Sequence, residues 1–376
     1  MSSAEPWPNL SDEALVPRLR LMLIPGVGPK TRQALLDQFG SSEAVLRAAP
    51  SELRRVHGVG PKLTEKIVAA DKIDVASEIA VCRKHGLGII VEGDPRYPSN
   101  LQTIDDPPGV LFVRGELRPQ DAVAIGIVGT RHPTQYGLRQ AERLAASLAR
   151  AGFTIVSGLA RGIDAAAHRG AIQAGGRTIA VLGSGVLQIY PPEHNELADE
   201  VARHGAILSE SPPRSEPLPG AFPQRNRIIS GLSQGVLVIE AGQTSGALIT
   251  ARHAMEQGRE VFALPGRIDD PSSRGCHRLI RDGAKLVESP DDVLEELGPL
   301  FKPALRDDGQ VIHHPAELLL NPQEQRILQA IGSDPTPIDA VVTTTGIPVP
   351  QVLSTISVLE MRRVIRRVSG SLVARI

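Results

Sequence analysis

A chain of 376 residues, 41% of them hydrophobic, has room for two or three domains with real cores. Its two cysteines, Cys82 and Cys276, stand far apart and form neither a disulfide framework nor a zinc site, which fits a reducing cytoplasm. The formal net charge of −1 does not announce a nucleic-acid binder, no apolar run approaches the about 20 residues that span a membrane, and the N-terminus lacks a signal-peptide pattern, so a cytoplasmic protein without membrane attachment is expected.

The charge is unevenly spread. Arg18 to Lys72 carries ten basic and five acidic residues, a balance of 10 − 5 = +5. Glu360 to Ile376 carries five arginines and one glutamate, and Glu288 to Asp308 carries seven acids and two bases. Basic ends around an acidic connector are averaged away in the net charge.

Residues 1–82 read as helical. Ile24-Pro25-Gly26-Val27-Gly28-Pro29-Lys30 returns 32 residues later as Val56-His57-Gly58-Val59-Gly60-Pro61-Lys62, an internal duplication. Each copy precedes a helical pattern and resembles a helix-hairpin-helix motif. Gly28 and Gly60 would let the backbone approach a DNA phosphate, with free N–H groups and Lys30 or Lys62 beside it. Packing against another protein surface is the alternative for the pair.

Residues 86–118 form a connector with turn formers and a short apolar strand, expected to cap the edge of the next domain. From Asp121 to about Glu288 strands and helices alternate. Strands are predicted at 122–128, 154–157, 178–182, 206–209, 236–240 and 260–263, with helices at 136–151, 163–174 and 246–257. Near-continuous apolar strands with crossover helices predict an α/β fold, a parallel sheet with helices on both faces. This domain is placed at 83–300 and a linker at 301–320. Residues 321–376 are expected to form a small winged helix-turn-helix, with Asn321-Pro322 opening its first helix. Arginines 362, 363, 366 and 367 would track a nucleic-acid backbone or dock on an acidic surface.

Three glycine-marked loops follow predicted strands and precede predicted helices: Gly129-Thr130-Arg131, Ser157 to Asp164, and Ser245 to Thr250. Phe222-Pro223-Gln224-Arg225-Asn226-Arg227, read as a fourth loop, adds two arginines. Loops at the carboxyl ends of parallel strands converge on one crevice, glycines admit a ligand close to the backbone, and arginine suits bidentate phosphate contact. A phosphate-bearing ligand is the expectation. The spacing G-x-G-x-x-G of dinucleotide sites is absent after the first strand, and so is the G-x-x-x-x-G-K-[ST] loop. The acid–base candidates near the loops are Asp164, His168, Glu210, Glu240 and His253. Asp164 is expected to cap its helix or orient Arg161, and His168, one turn on, to bond Asp164. No metal or cofactor site is expected. Aromatics make up only 3% of the chain, with Phe222, Tyr136 and Tyr190 the best placed to stack on bases.

These residues resemble the DNA-processing protein A (DprA, or Smf) family. The resemblance is carried by Tyr97-Pro98 to Phe112, Ile127 to Arg131, Ser157 to Asp164 with Ala167-His168, Tyr190-Pro191, Phe222 to Ile229, Glu240-Ala241 with Ser245-Gly246, and Pro265-Gly266. It implies an extended Rossmann-like domain flanked by the two smaller ones, and a non-enzymatic function. Members bind single-stranded DNA in a basic pocket, load the RecA recombinase on incoming strands in natural transformation, and work as homodimers. Carried over residue by residue, Arg131, Arg161, Arg225 and Arg227 would contact DNA, with Gly129, Ser157, Gly158, Gly162, Ser245 and Gly246 as a backbone cradle. Some members carry a lysine between the Glu-Ala and Ser-Gly pairs, where this sequence has Gly242-Gln243-Thr244. The alternative is a nucleotide phosphoribohydrolase of the lysine-decarboxylase-like class. It would need an acid just after the glycine-rich helix start, whereas none follows Gly246 before Glu256.

Overall fold

The computed structural model describes residues 12–297, 304–305, 311–312, 320, 322–332, 334–361, 364–369 and 371–375. The N-terminal stretch 1–11, most of the expected linker, the expected cap Asn321, and Arg362 and Arg363 lie outside the described residues.

Among the described residues six α-helices come first: α1 (Asp12–Leu23), α2 (Pro29–Phe39), α3 (Ser42–Arg47), α4 (Pro50–Leu53), α5 (Pro61–Val68) and α6 (Val75–Lys84). Ser41 and Asp74 cap α3 and α6 by accepting from the backbone N–H of Ala44 and Ser77. The duplicated segments are hairpins leading into α2 and α5. Gly26 and Gly58 turn each hairpin at φ 103° and 84°, where a side chain would be strained. Gly28 and Gly60 then cap α2 and α5 with nearly the same backbone, ψ 173° and 176°.

Leu21, Leu35, Val45, Leu53 and Ile67 form the hairpins' own core. The outer helices face elsewhere. Leu15 and Leu19 of α1 and Val75, Ile79 and Cys82 of α6 share one apolar cluster with Phe112, Ala180 and Ile207 of the central sheet. Arg32 of α2 adds a polar tie, bonding Glu92 at 2.8 Å and the carbonyl oxygen of Pro107 at 2.9 Å.

The central sheet has nine strands: β1 (Gly88–Val91), β2 (Val110–Gly115), β3 (Ala124–Val128), β4 (Thr154–Ser157), β5 (Thr178–Val181), β6 (Gly205–Ser209), β7 (Gly235–Val238), β8 (Glu260–Ala263) and β9 (Lys285–Leu286). Their order is β1-β2-β6-β5-β4-β3-β7-β8-β9. From β6 to β9 every pairing is parallel. β1 and β2 pair antiparallel with each other, and β2 with β6, so the expected edge cap extends the sheet itself.

Both faces are covered, as the apolar strands require. On one face Val156, Val181, Val236 and Val238 meet Ile228, Ile229 and Leu232 of α10 (Ala221–Leu232) and Ala251 and Ala254 of α11 (Ala247–Glu256). On the other, Ile125, Ile127, Ile155 and Leu237 meet α7 (Gln135–Arg150), α8 (Ile163–Gln173) and α13 (Pro290–Leu297). Helices α9 (Asn195–His204) and α12 (Arg274–Arg281) complete the layers. The stretch from Phe222 to Arg227, expected as a loop, is the first half of α10. Pro223 misled because a proline in the first turn forfeits only an N–H that has no intrahelical partner.

Ala304–Leu305 and Val311–Ile312 pair antiparallel as β10 and β11. The C-terminal unit holds α14 (Pro322–Gln329), β12 (Thr336–Pro337), α15 (Ile338–Thr345), α16 (Val349–Met361), β13 (Ile365–Ser369) and β14 (Leu372–Arg375). Its strands run in the order β12-β14-β13, antiparallel, around Ile327, Val341, Ile356, Leu359 and Val373. This is the expected winged helix, with β12 as an added strand.

Candidate nucleic-acid interface

Strand order runs outward from β3 in both directions, through β4 and β5 on one side and β7 and β8 on the other. The loops after β3, β4 and β5 therefore face a common depression with the start of α10. Arg131, Gly158, Ala160, Arg161, Tyr190, Pro191, Phe222 and Arg225 line it, and it is small and open to solvent.

Arg225 forms the floor. It is 5% exposed, and its Nη1 donates to the carbonyl oxygens of Gly158, at 2.8 Å, and Val181. Its Nε is buried with no partner. Burial pulls the guanidinium down to about 10, Asp164 opposes that shift, and Arg131 adds to it. Gly158 is required by this packing, since a Cβ there would lie 2.6 Å from Nη2 of Arg225 and 2.7 Å from Oδ2 of Asp164.

Asp164 is buried, and burial pushes its carboxyl up, opposed by Arg225 and by backbone hydrogen bonds from Ala160 and Gly158. Of the two roles expected for it, capping α8 or orienting Arg161, it takes neither: it serves the loop before α8 and Arg225. His168 also differs from expectation. Its Nδ1 meets Thr178 Oγ1 of β5 at 2.7 Å, while Asp164 is taken up by Arg225 and the loop before α8. The β4–α8 loop is bent tightly, with Leu159 at φ 55° and Gly162 at φ 77°. A Cβ on Gly162 would lie 2.4 Å from the carbonyl oxygen of Thr130, so this glycine seats the β4–α8 loop against the β3–α7 loop.

The rim is aromatic and basic. The Arg131 guanidinium carbon lies 5.6 Å from the centre of the Phe222 ring, a cation–π contact. Tyr190 tilts at 47° against the same ring, with centroids 5.6 Å apart. Arg161 is half-exposed, and its Nε donates to Glu193 Oε1 at 2.5 Å.

The β3–α7 loop carrying Arg131 is anchored from β7. Thr130 N donates to the carbonyl oxygen of Glu240 at 2.7 Å, and Thr134 bonds the Glu240 carboxylate. Gly129 sits where a Cβ would lie 2.5 Å from Ile163, and the Ser157 hydroxyl donates to the carbonyl oxygen of Ile127 at 2.6 Å. Both hold the loops together instead of presenting free groups to a ligand.

Arg227 departs from expectation. It is 3% exposed and pairs with Glu210 at 2.7 Å and Asp106 at 3.2 Å. Two residues along a helix is a turn of about 200°, so Arg225 and Arg227 cannot share a face. Ser245 also lies elsewhere. It lines a second cleft with Leu248, Arg252, Met255 and Arg278, because the chain leaves β7 toward β8 and α12. Gly246 beside it is exposed and accepts from Asn226 at 3.3 Å.

Of the remaining acid–base candidates, Glu210 pairs with Arg227 and His253 lies 3.4 Å from Glu256. Among the described residues no cluster of His, Cys, Asp or Glu is arranged to hold a metal. Lys30 and Lys62 are exposed at the starts of α2 and α5, and the space around Gly28 and Gly60 is open. Arg367 lies 3.6 Å from Glu360. Glu193 and Thr134 were missed in the sequence, where neither has a local signature and their partners stand 32 and 106 residues away.

The sequence model of the DNA recombination-mediator protein A family matches residues 88–298. The DprA winged helix domain matches residues 313–371, and a SAM-like helix-hairpin-helix tandem matches residues 19–70. Protein Smf of Synechocystis sp. is 37% identical over 379 residues, covering 92% of this chain and 95% of that protein. The crystal structure of DNA processing protein A from Streptococcus pneumoniae superposes with a TM-score of 0.66 at 36% identity, over 77% of this chain and 98% of that one. DNA processing protein A of Helicobacter pylori, solved to describe its single-stranded DNA binding mode, gives a TM-score of 0.52 at 30% identity, over 57% and 97%. Fold, flanking domains and sequence agree: the chain belongs to the DNA recombination-mediator protein A family, also called DprA or Smf.

Proposed function

We propose that the depression above Arg225 binds the backbone of single-stranded DNA, and that the protein acts as a recombination mediator. One observation carries this reading. Arg131, Arg161 and Arg225 converge on one small site whose wall is the Phe222 ring. Guanidinium groups supply charge-assisted bonds to phosphate, and an aromatic ring gives any base a stacking surface. Gly158 and Gly162 shape the floor, and Gly129 and Ser157 fix the loops from behind. Ser245 and Gly246 lie outside this pocket, and Arg227 belongs to the scaffold.

The relative from Helicobacter pylori supports the ligand. Handing the strand to the RecA recombinase, action as a homodimer and a cytoplasmic setting complete the proposal, as does the division into modules at 1–82, 83–300 and 321–376. Binding without catalysis fits the structural partners found for Asp164, Glu210 and Glu240. The test is a titration with labelled single-stranded and duplex oligonucleotides across a salt series, beside an assay of base release from nucleoside monophosphates. Tighter single-strand binding with a log–log salt slope of about −0.7 per contact is expected. A flat slope, or release of free base, overturns the proposal.

A further inference from the structure

Arg161 stands half-exposed on the pocket's rim, and it already has an anion. Nε of Arg161 donates to Oε1 of Glu193 at 2.5 Å, and the two side chains are 50% and 51% exposed. This bond holds the guanidinium pKa above its ordinary value and the Glu193 carboxyl below its own. The contact is built into the backbone as well. Glu193 lies between Pro191, which lines the pocket, and His194, whose buried ring meets the carbonyl oxygen of Leu159 at 2.9 Å. Leu159 stands two residues before Arg161 in the same bent loop. The segment bearing the carboxylate is therefore fastened to the segment bearing the guanidinium.

A carboxylate and a phosphodiester present similar paired oxygens to a guanidinium, and arginine's planar fork favours both. We infer that Glu193 is an anionic gate on the pocket, a carboxylate that occupies the Arg161 anion position in the free protein and is exchanged for a backbone phosphate when a strand enters. The inference rests on the pocket reading above. It adds that the site is self-competed and that its affinity is set below what its arginines can give. An exposed ion pair is weak, so the gate is easily opened and its effect is modest. Its use is selective: a strand that makes several contacts displaces the carboxylate, and an isolated anion does not.

The test uses the full chain and a labelled single-stranded oligonucleotide at fixed salt. Glu193→Gln keeps the shape and removes the charge, and it should tighten binding about two- to five-fold. The gain should vanish in the Arg161→Ala background, because the gate acts only through that guanidinium. Glu196→Gln removes an exposed charge three residues away and should leave affinity unchanged. Unchanged or weaker binding by Glu193→Gln overturns the gate. Equal tightening by Glu196→Gln, or tightening that persists without Arg161, also overturns it, since either reports a general field effect. If Arg161→Ala alone leaves binding intact, the pocket reading falls and the gate with it. If Arg161→Ala weakens binding while Glu193→Gln does not tighten it, only the gate falls.

Discussion

Thr134 and Glu240 are joined by two hydrogen bonds across 106 residues: the Thr134 N–H donates to Oε2 at 2.9 Å and its hydroxyl to Oε1 at 2.5 Å. The same hydroxyl oxygen caps α7 by accepting from Gly137 N at 3.1 Å. Glu240 is thus the post from which the Arg131 loop hangs. Glu240→Ala should cost about 3 kcal/mol of stability, the scale of two bonds to a buried charged group less what water restores. It should also weaken single-strand binding by freeing the loop. Urea unfolding and a binding titration measure the two effects. A variant as stable as the parent would refute the anchor.

Arg161→Ala tests the rim. It should weaken single-strand binding roughly ten-fold, about one charge-assisted contact, and make the salt slope shallower by about 0.7. Because the side chain is half-exposed, the melting temperature should hardly move. A folded variant with the parent's affinity and slope would remove Arg161 from the site.

Arg227→Ala should behave in the opposite way. Its removal leaves Glu210 and Asp106 facing each other without their shared cation, at a cost of about 3–5 kcal/mol. Binding by the folded fraction should stay close to the parent's. If affinity falls while stability holds, Arg227 is a DNA contact after all.

The contrast between Arg225 and Arg227 shows how far the sequence can be read. The parallel sheet was legible because buried strands such as Ile125 to Val128 are continuously apolar, and the hairpins because the glycine pattern repeats. Arg131, Arg161 and Arg225, which the structure brings to one depression, stand out in the sequence because each lies near a glycine or proline in a family-specific stretch. Arg227 was grouped with them by the same neighbourhood, yet helical geometry turns it to the far side. Ser245 and Gly246 were grouped by motif, but strand order, which no local pattern encodes, sends their loop to another cleft. Glu193 depends on the distance between two separate loops, and only the folded chain supplies that.

His168 gives the protein a pH signature. Thr178 donates its hydroxyl to the carbonyl oxygen of Ile155 at 2.8 Å, so it accepts from Nδ1–H of His168, leaving Nε2 buried without a partner. Burial pulls the imidazole down to about 3. In the folded state the ring is neutral between that value and about 6.5, where the unfolded chain takes up a proton. The unfolded state binds more protons in this window, so stability falls as pH drops through it, by up to about 1.4 kcal/mol per pH unit. Between pH 6.5 and 5 the parent should lose about 2 kcal/mol more than His168→Gln in urea unfolding. Parallel losses would show that His168 is not buried as a neutral ring.

The hairpins call for point variants, because deleting residues 1–82 would strip α1 and α6 from Phe112 and Ile207 and expose part of the sheet's core. Lys30 and Lys62 avoid that difficulty, being exposed beside the capping glycines of α2 and α5. A Cβ on Gly28 or Gly60 would meet nothing within 4 Å, so the approach to each backbone is open. The double variant Lys30→Glu, Lys62→Glu should fold normally and bind single-stranded DNA more weakly, with a slope shallower by about 0.7 for each phosphate no longer neutralised. Because the hairpins address the DNA backbone, the weakening should be the same for unrelated sequences. An unchanged salt slope would show that the repeated hairpins serve packing and leave DNA to the pocket above Arg225.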